Sequence, residues 1–226
     1  MVTGFIGENE DGIITTLGRS GSDFSASILG AALKADEIWL WKEVNGIMTT
    51  DPRIVPEAKT IPQISYAEAM ELSYFGANVL HPRTIEPAMR EHIPVRVKNT
   101  FDTEFPGTLV VSEKFQCKHV VKAVSLIKNV ALINISGAEM AGTIGTVARL
   151  FTALARAGVN IVMISQGSSE SNLSFVVSEA HVEPALKALH AEFNREIIKE
   201  ITSDKNVCVV AVVGAGMAGT PGVAKR

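Results

Sequence analysis

The sequence predicts a layered α/β segment followed by a ferredoxin-like βαββαβ module and the start of a second such module. Three observations lead to this fold class. Strand and helix signals alternate up to about residue 112, the order βαββαβ follows, and a glycine-rich segment then recurs. Residues 205–226 laid over residues 128–149 give 11 identities in 22 positions, which a duplicated module explains.

The first block, residues 1–112, alternates β-branched runs with stretches of helical periodicity. Ser65 followed three residues later by Glu68 predicts a capping box at the start of a helix. The predicted strands cover 12–17, 37–41 and 94–100, and the predicted helices cover 24–35, 65–77 and 84–92.

The second block, residues 113–203, carries the βαββαβ pattern, and the third block, 204–226, begins its repeat. Lys128-Asn129 is expected to separate the first two strands, and Gly158 has the position of a C′ glycine after the first helix. The predicted strands are 122–127, 130–136, 159–165 and 172–178, followed by a further strand at 196–202, and the predicted helices are 146–158 and 180–196.

Composition excludes several classes of function. The net charge is −3 and the basic residues are scattered, so neither nucleic acid nor an anionic membrane is an expected partner. Cys117 and Cys208 stand far apart, which argues against a zinc site or a disulfide framework. No apolar run is long enough to span a bilayer. The expected location is therefore the cytoplasm.

The stretch LGRSGSDFSA (17–26) is the most informative part of the first block. Its glycines allow a close backbone approach, Arg19 offers a fork for a carboxylate, and Asp23 opens a helix. The residues alone leave two interpretations open. One is a loop for a small zwitterionic or anionic ligand, and the other is a glycine-rich turn whose helix Asp23 caps.

The same stretch carries a family resemblance. LGRSGSDFSA is similar to the aspartokinase signature LGRGGSD, and VNGIMTTDPRIVPEAKTIPQISYAEAMELSYFGANVLHPRTIEPA (44–88) continues the match without a visible gap. The resemblance extends through VKNT, PGTL and the turn ISQGSSE over essentially the whole chain. It implies the C-terminal part of a three-layer amino-acid kinase domain, one ACT domain and the beginning of another.

By that resemblance, ATP with Mg²⁺ phosphorylates the side-chain carboxylate of L-aspartate to 4-phospho-L-aspartate, the first step of lysine, threonine and methionine biosynthesis. Arg19, Ser22 and Asp23 match the family's aspartate-binding positions. Arg19 would pair with a substrate carboxylate, and Asp23 would hold the amino group or a phosphate-binding lysine. Arg19 and Asp23 are thus the expected catalytic residues.

The nucleotide half departs from the family pattern. The chain has WKEVNGIMTTDPR where the family has WTDVDGIYTTDPR, and FGAN where the family usually has FGAK. Lys42 either compensates for the lost lysine or is a solvated surface lysine. The positions that the resemblance assigns to ATP are Lys42, Glu43, Met48, Asp51, Arg53 and Asn78.

Both ends of the sequence are expected to be cut. Nothing before Val2 resembles the KFGGTS-type segment that supplies the family's phosphate-binding lysine. The 226-residue chain is therefore expected to lack catalytic activity on its own.

The ACT resemblance implies an amino-acid effector and a homo-oligomer, because ACT domains pair side by side and bind amino acids at their strand–helix turns. Val162 stands where lysine-sensing relatives carry an acid, so threonine is favoured over lysine. The expected effector contacts are Met140, Thr143, Ile144, Asn160, Ile161 and Gln166.

One alternative from another class is a non-catalytic, amino-acid-binding ACT regulatory subunit, against which the kinase signature at 17–53 argues. Glutamate and carbamate kinases do not fit the TTDPR and ACT elements.

Overall fold

A computed structural model describes residues 2–76, 79–112, 120–168, 171–193, 198–217 and 219–223. The chain forms two compact units. The first unit runs to Leu126 and includes Val210–Arg226, and the second unit is Ile127–Val209.

The described residues of the first unit form a hairpin, three helices and a four-stranded sheet. Its elements are β1 (Ile6–Glu8), β2 (Ile14–Thr16), α1 (Gly21–Ala32), β3 (Ile38–Lys42), β4 (Gln63–Ser65), α2 (Tyr66–Tyr74), α3 (Pro82–Arg90), β5 (Val95–Asn99) and β6 (Thr108–Val111). The sheet order is β3-β5-β6-β4. Strand β3 is parallel to β5, whereas β6 is antiparallel to β5 and parallel to β4.

Alternation along β3 assigns its two faces. Ile38 and Leu40 are buried, whereas Trp39 and Trp41 are 51% and 43% exposed. The buried face joins one apolar core with residues of α2, α3, β5 and β6. Gly107, before β6, has a φ of 71°, and an added Cβ would lie 2.0 Å from the carbonyl oxygen of Val97. Only glycine fits this approach.

The predicted capping box at the start of α2 is confirmed. The Ser65 hydroxyl accepts from the backbone N–H of Glu68, and the Glu68 carboxylate accepts from the backbone N–H of Ser65. Two of the N–H groups left unpaired at a helix start are thereby satisfied.

The second unit is built on a βαββαβ chain order. Its elements are most of β7 (Ala123–Ser136), α4 (Thr146–Arg156), β8 (Ile161–Gln166), β9 (Asn172–Ser178), α5 (Val182–Glu192) and most of β10 (Glu200–Val213). The sheet order β10-β7-β9-β8 is the 4-1-3-2 order of a ferredoxin-like fold, so the predicted fold class is confirmed. Leu150, Leu154, Phe175 and Leu189 lie in its core.

Two strands differ from the sequence prediction. Lys128-Asn129 does not separate two strands, because β7 continues through it with Asn129 at a φ of 57°. Strand β10 likewise runs through positions 203/204, where the sequence repeat places the start of its second copy. In β7, Asn129 can adopt its positive φ because asparagine tolerates the left-handed region better than most residues, and the strand therefore continues through it.

Candidate functional site

The loop before α1 is held by the neighbouring hairpin. Gly18 and Ser20 have φ values of 79° and 59°, and α1 begins at Gly21. Gly21 is buried, and a Cβ there would lie 3.0 Å from side-chain atoms of Phe5 and Leu17. The end of the loop is therefore packed against the residues that flank the hairpin, and it leads into a helix N-terminus, where first-turn N–H groups have no helical partner.

The predicted substrate residues occupy this loop and the first helical turn. Arg19 and Ser22 are exposed, and Asp23 is partly buried in the first turn of α1. Ser20 is the N-cap residue and makes no side-chain cap hydrogen bond. The interpretation of Asp23 as the cap residue is thus wrong, because Asp23 lies three residues inside the cap.

The carboxylate of Asp23 instead binds a lysine. Lys42, the last residue of β3, places its Nζ 2.5 Å from Asp23 Oδ2, and the two side chains are 26% and 13% exposed. This ion pair joins the substrate loop to a position that the resemblance assigns to the nucleotide. Partial burial makes such a pair stronger than a fully exposed one.

The other nucleotide positions follow β3 along the chain. Glu43 is exposed, and Met48 forms a β-bridge with Thr60. Arg53 Nη2 lies 2.8 Å from Asp51 Oδ2, and this hydrogen bond and the charge of Asp51 raise the pKa of Arg53 above its ordinary value. Asp51 and Arg53 thus form a pair on this loop. The predicted Asn78 lies outside the described residues.

A separate cavity of about 330 Å³ lies in the second unit. It is lined by Met140, Thr143, Gly145, Thr146, Val147, Ala148 and Gln166. Helix α4 starts at this cavity, with Gly145 as an N-cap that has no side chain to satisfy the first-turn N–H groups. The cavity can therefore accept a carboxylate from a small ligand.

The cavity brings together three of the six predicted effector residues, namely Met140, Thr143 and Gln166. Ile144 is fully exposed, and neither Asn160 nor Ile161 lines the cavity. Sequence reasoning missed the lining residues Gly145, Thr146, Val147 and Ala148. The signal that could have found them is the predicted start of the helix at residue 146, because the first turn of that helix lines the cavity.

Metal-binding clusters and membrane spans are both absent from the described residues. That part of the chain contains no cluster of three His, Cys, Asp or Glu side chains that could hold a metal ion. None of its helices has the length and apolar character that crossing a bilayer requires.

Two family models match the chain. The amino acid kinase family matches residues 1–99, and an ACT domain matches residues 133–193. The bifunctional aspartokinase/homoserine dehydrogenase of Daucus carota is 44% identical over 99% of this chain. The aspartate kinase structure of Clostridium acetobutylicum superposes with a TM-score of 0.90 and 33% identity over 98% of the chain. The chain belongs to the aspartokinase family.

Aspartokinase III of E. coli, solved with aspartate and ADP, has a TM-score of 0.78 and 35% identity over 98% of this chain. The same E. coli protein has also been solved with lysine and aspartate. The chain spans 25% of the length of the Daucus carota relative and 51% and 50% of the Clostridium and E. coli structures.

Proposed function

We propose that this chain supplies the aspartate-binding and regulatory parts of an aspartokinase. The reaction transfers the γ-phosphoryl group of ATP to the side-chain carboxylate of L-aspartate and gives 4-phospho-L-aspartate, the first step towards lysine, threonine and methionine. The observation that carries the proposal is the 2.5 Å ion pair between Asp23 and Lys42 beside the Arg19 loop. Phosphoryl transfer depends mainly on positioning and on neutralising charge, and both are available here.

Each loop residue has a proposed role. Arg19 clamps a substrate carboxylate through its planar guanidinium, and Ser22 donates a hydrogen bond at the start of α1. Asn78 stands where the family usually has a lysine that contacts the phosphates. Lys42, oriented by Asp23, takes over the contact with the transferred phosphate. The E. coli relative binds aspartate and ADP, which supports these roles.

The nucleotide contacts form the second part of the proposed site. Glu43, Met48, Asp51 and Arg53 lie on the segment after β3, and we assign them to ATP together with Asn78. Mg²⁺ would accompany the nucleotide and neutralise its phosphates.

The cavity at α4 is the proposed effector site. None of the described residues that line it is acidic, so the ε-ammonium of a lysine ligand would have no counter-charge there. Threonine needs only hydrogen-bond partners for its hydroxyl and ammonium groups, and Thr143 and Gln166 offer oxygens for this. We therefore favour threonine, although the E. coli relative was solved with lysine.

Homo-oligomerisation through the ACT unit is supported by the edge strand of its sheet. Strand β8 is the last strand in the sheet order, and Met163 and Ile164 on it are 44% and 50% exposed. An exposed apolar edge of this kind favours pairing with a second chain. The cytoplasm remains the proposed location.

A non-catalytic ACT subunit is the less favoured alternative. The amino acid kinase match over residues 1–99 and the Arg19–Asp23–Lys42 arrangement have no role in such a subunit.

A chimera tests the kinase proposal. These 226 residues would replace the matching half of the Clostridium acetobutylicum aspartate kinase, and aspartyl hydroxamate formation would be measured. We expect ATP-dependent product, and an Arg19→Ala chimera should lose at least 100-fold in rate, about 2.7 kcal/mol. An Arg156→Ala chimera, altered at an exposed arginine of α4, is the matched control. A folded but inactive chimera, or an active Arg19→Ala variant, would contradict the proposal.

A further inference from the structure

Two strands connect the units along the chain, and their ends in the first unit are fastened to each other. Strand β7 starts in the first unit and continues beyond Leu126 into the ACT unit, whereas β10 returns to the first unit at Val210. The backbone N–H of Lys122 donates to the carbonyl of Val213 at 2.9 Å. The entry and the exit of the ACT unit are therefore held together within the first unit.

Both ends are also fastened to one carboxylate. Lys122 Nζ lies 2.7 Å from Glu68 Oε2, and the backbone N–H of Ala215 donates to Glu68 Oε1 at 2.7 Å. The Glu68 and Lys122 side chains are only 3% and 5% exposed. We call the three residues Glu68, Lys122 and Ala215 the Glu68 clasp. Buried charges hold fixed positions because any separation leaves a charge without its partner.

The start of β7 also contacts two segments that belong to the proposed nucleotide side. The Ser125 hydroxyl donates to the carbonyl of Phe75, at the C-terminal end of α2, at 2.6 Å. The backbone N–H of Val124 donates to the carbonyl of Thr49 at 2.8 Å. Thr49 follows Met48 directly and precedes Asp51 by two positions. All these contacts lie within the first unit.

We infer that the Glu68 clasp couples the packing of the ACT unit to residues 47–53 and to the C-terminal half of α2. The consequence for nucleotide binding rests on the proposed function, whereas the coupling itself does not. A close-packed interior transmits displacement, because it has no space in which to absorb it. A shift of β7 is therefore passed on through Glu68, Phe75 and Thr49. Glu68 and Lys122 are positioning residues in this arrangement.

Hydrogen exchange in the full 226-residue chain, with no ligand added, tests the coupling. The perturbation is Leu150→Ala, which opens a cavity in the ACT core at a residue that is fully buried. In the background of an intact clasp, this change should speed exchange at least threefold in peptides covering 47–53 and 66–75. With Lys122→Met present, the same Leu150→Ala change should alter exchange there by less than half as much.

Lys128→Met is the matched control, since Lys128 is an exposed lysine on the same strand. Chains with this control should keep the full response to Leu150→Ala. Ser125→Ala is the second variant, to be measured if the Lys122→Met chain does not fold. It removes the hydrogen bond to Phe75 without leaving a charge unpaired. It should reduce the response in 66–75 and leave that in 47–53.

The quantity compared is the effect of Leu150→Ala on exchange, measured in each background relative to the same background with Leu150 intact. This comparison separates coupling from a merely structural role of the clasp residues. The inference is overturned if Leu150→Ala leaves both segments unchanged, or if Lys122→Met and Lys128→Met chains respond alike. It is also overturned if Ser125→Ala chains respond in 66–75 as the intact chain does. If the chain does not bind aspartate, the proposed function is contradicted, but the hydrogen-exchange result still tests the coupling because no ligand is added in that experiment.

Discussion

Glu68 shows how one residue can serve several elements at once. Its carboxylate accepts four hydrogen bonds, from the backbone N–H and hydroxyl of Ser65, from Lys122 and from the backbone N–H of Ala215. Burial alone would raise the pKa of Glu68, but the hydrogen bonds from Lys122, Ser65 and Ala215 outweigh it. The pKa of Glu68 therefore lies below its ordinary value of 4.5.

This lowered pKa predicts a pH-dependent stability. Ionised Glu68 stabilises the folded chain fully above the ordinary value of 4.5, and that contribution is lost as pH falls through the lower folded pKa. Urea midpoints measured from pH 7 down to pH 3 should fall in acid. The fall should be smaller in a Glu68→Gln/Lys122→Met double variant, which carries neither charge.

Glu71→Gln is the control for that measurement, since Glu71 lies exposed on the same helix. Its profile should follow that of the unmodified chain. Lys122→Met alone should cost about 3–5 kcal/mol at neutral pH, because it leaves a buried carboxylate without its cation. An unchanged acid limb in the double variant would refute the assignment.

Local sequence patterns predict bonds between near neighbours, and the residue-scale successes are of that kind. The Ser65–Glu68 box was predictable because its partners are three residues apart. The contacts of Glu68 with Lys122 and Ala215 were not, because they join positions 54 and 147 residues apart. The Asp23–Lys42 pair was not predicted either, because its two residues stand 19 positions apart and meet only in the fold.

At the scale of elements, the segment after β10 contains two glycines, Gly214 and Gly216, at which alanine substitution should change stability to different extents. A Cβ on Gly214 would lie 2.1 Å from the carbonyl oxygen of Val120, whereas a Cβ on Gly216 would meet nothing closer than 3.7 Å. Gly214→Ala should therefore cost about 1–3 kcal/mol, since the backbone must move. Gly216→Ala should be neutral or slightly stabilising.

Thermal melts of the two alanine variants check this difference. A loss of 1 kcal/mol lowers Tm by roughly 2–4 °C for a chain of this size. Equal melting temperatures for Gly214→Ala and Gly216→Ala would show that the close approach of Gly214 to Val120 does not exist in solution.

The cavity at the start of α4 leads to the prediction that threonine binding stabilises the ACT unit. Threonine at 100 times its Kd should add about 2.7 kcal/mol to the stability of the ACT unit, and lysine at the same concentration should add much less. Gln166→Ala should remove the upward shift of the thermal melt, because Gln166 lines the cavity. Gln63→Ala, a glutamine of β4, should retain it. Equal shifts for lysine and threonine would refute the effector assignment.

The elements themselves were predicted unevenly. Strand β9 and the turn at Gly158 match the sequence prediction, because alternating apolar residues and a C′ glycine are local signals. The continuity of β7 through Asn129 was missed, since asparagine is a common turn residue and only pairing with neighbouring strands shows that the strand continues. The exposure of Ile144 was missed because burial depends on tertiary packing, which a local sequence pattern does not contain.

At the scale of the whole molecule, the duplicated segment serves different purposes in its two copies. The glycine-rich segment occurs at 137–145 and again at 214–222. The first copy lies beside the cavity at α4, whereas the backbone N–H of Ala215, in the second copy, donates to Glu68 in the first unit. Sequence identity predicted the repeat but not this division. Function therefore depends on where each copy packs as well as on its residues.

The proposed function depends above all on the loop before α1, which with Asp23 and Lys42 is expected to bind L-aspartate. A titration of the ¹⁵N-labelled chain with L-aspartate, followed by NMR, tests this binding directly. We predict saturable shifts that concentrate at the amides of residues 18–24 and of Lys42, and that disappear in an Arg19→Ala variant. Shifts confined to other parts of the chain, or an Arg19→Ala variant that responds like the unmodified chain, would contradict it.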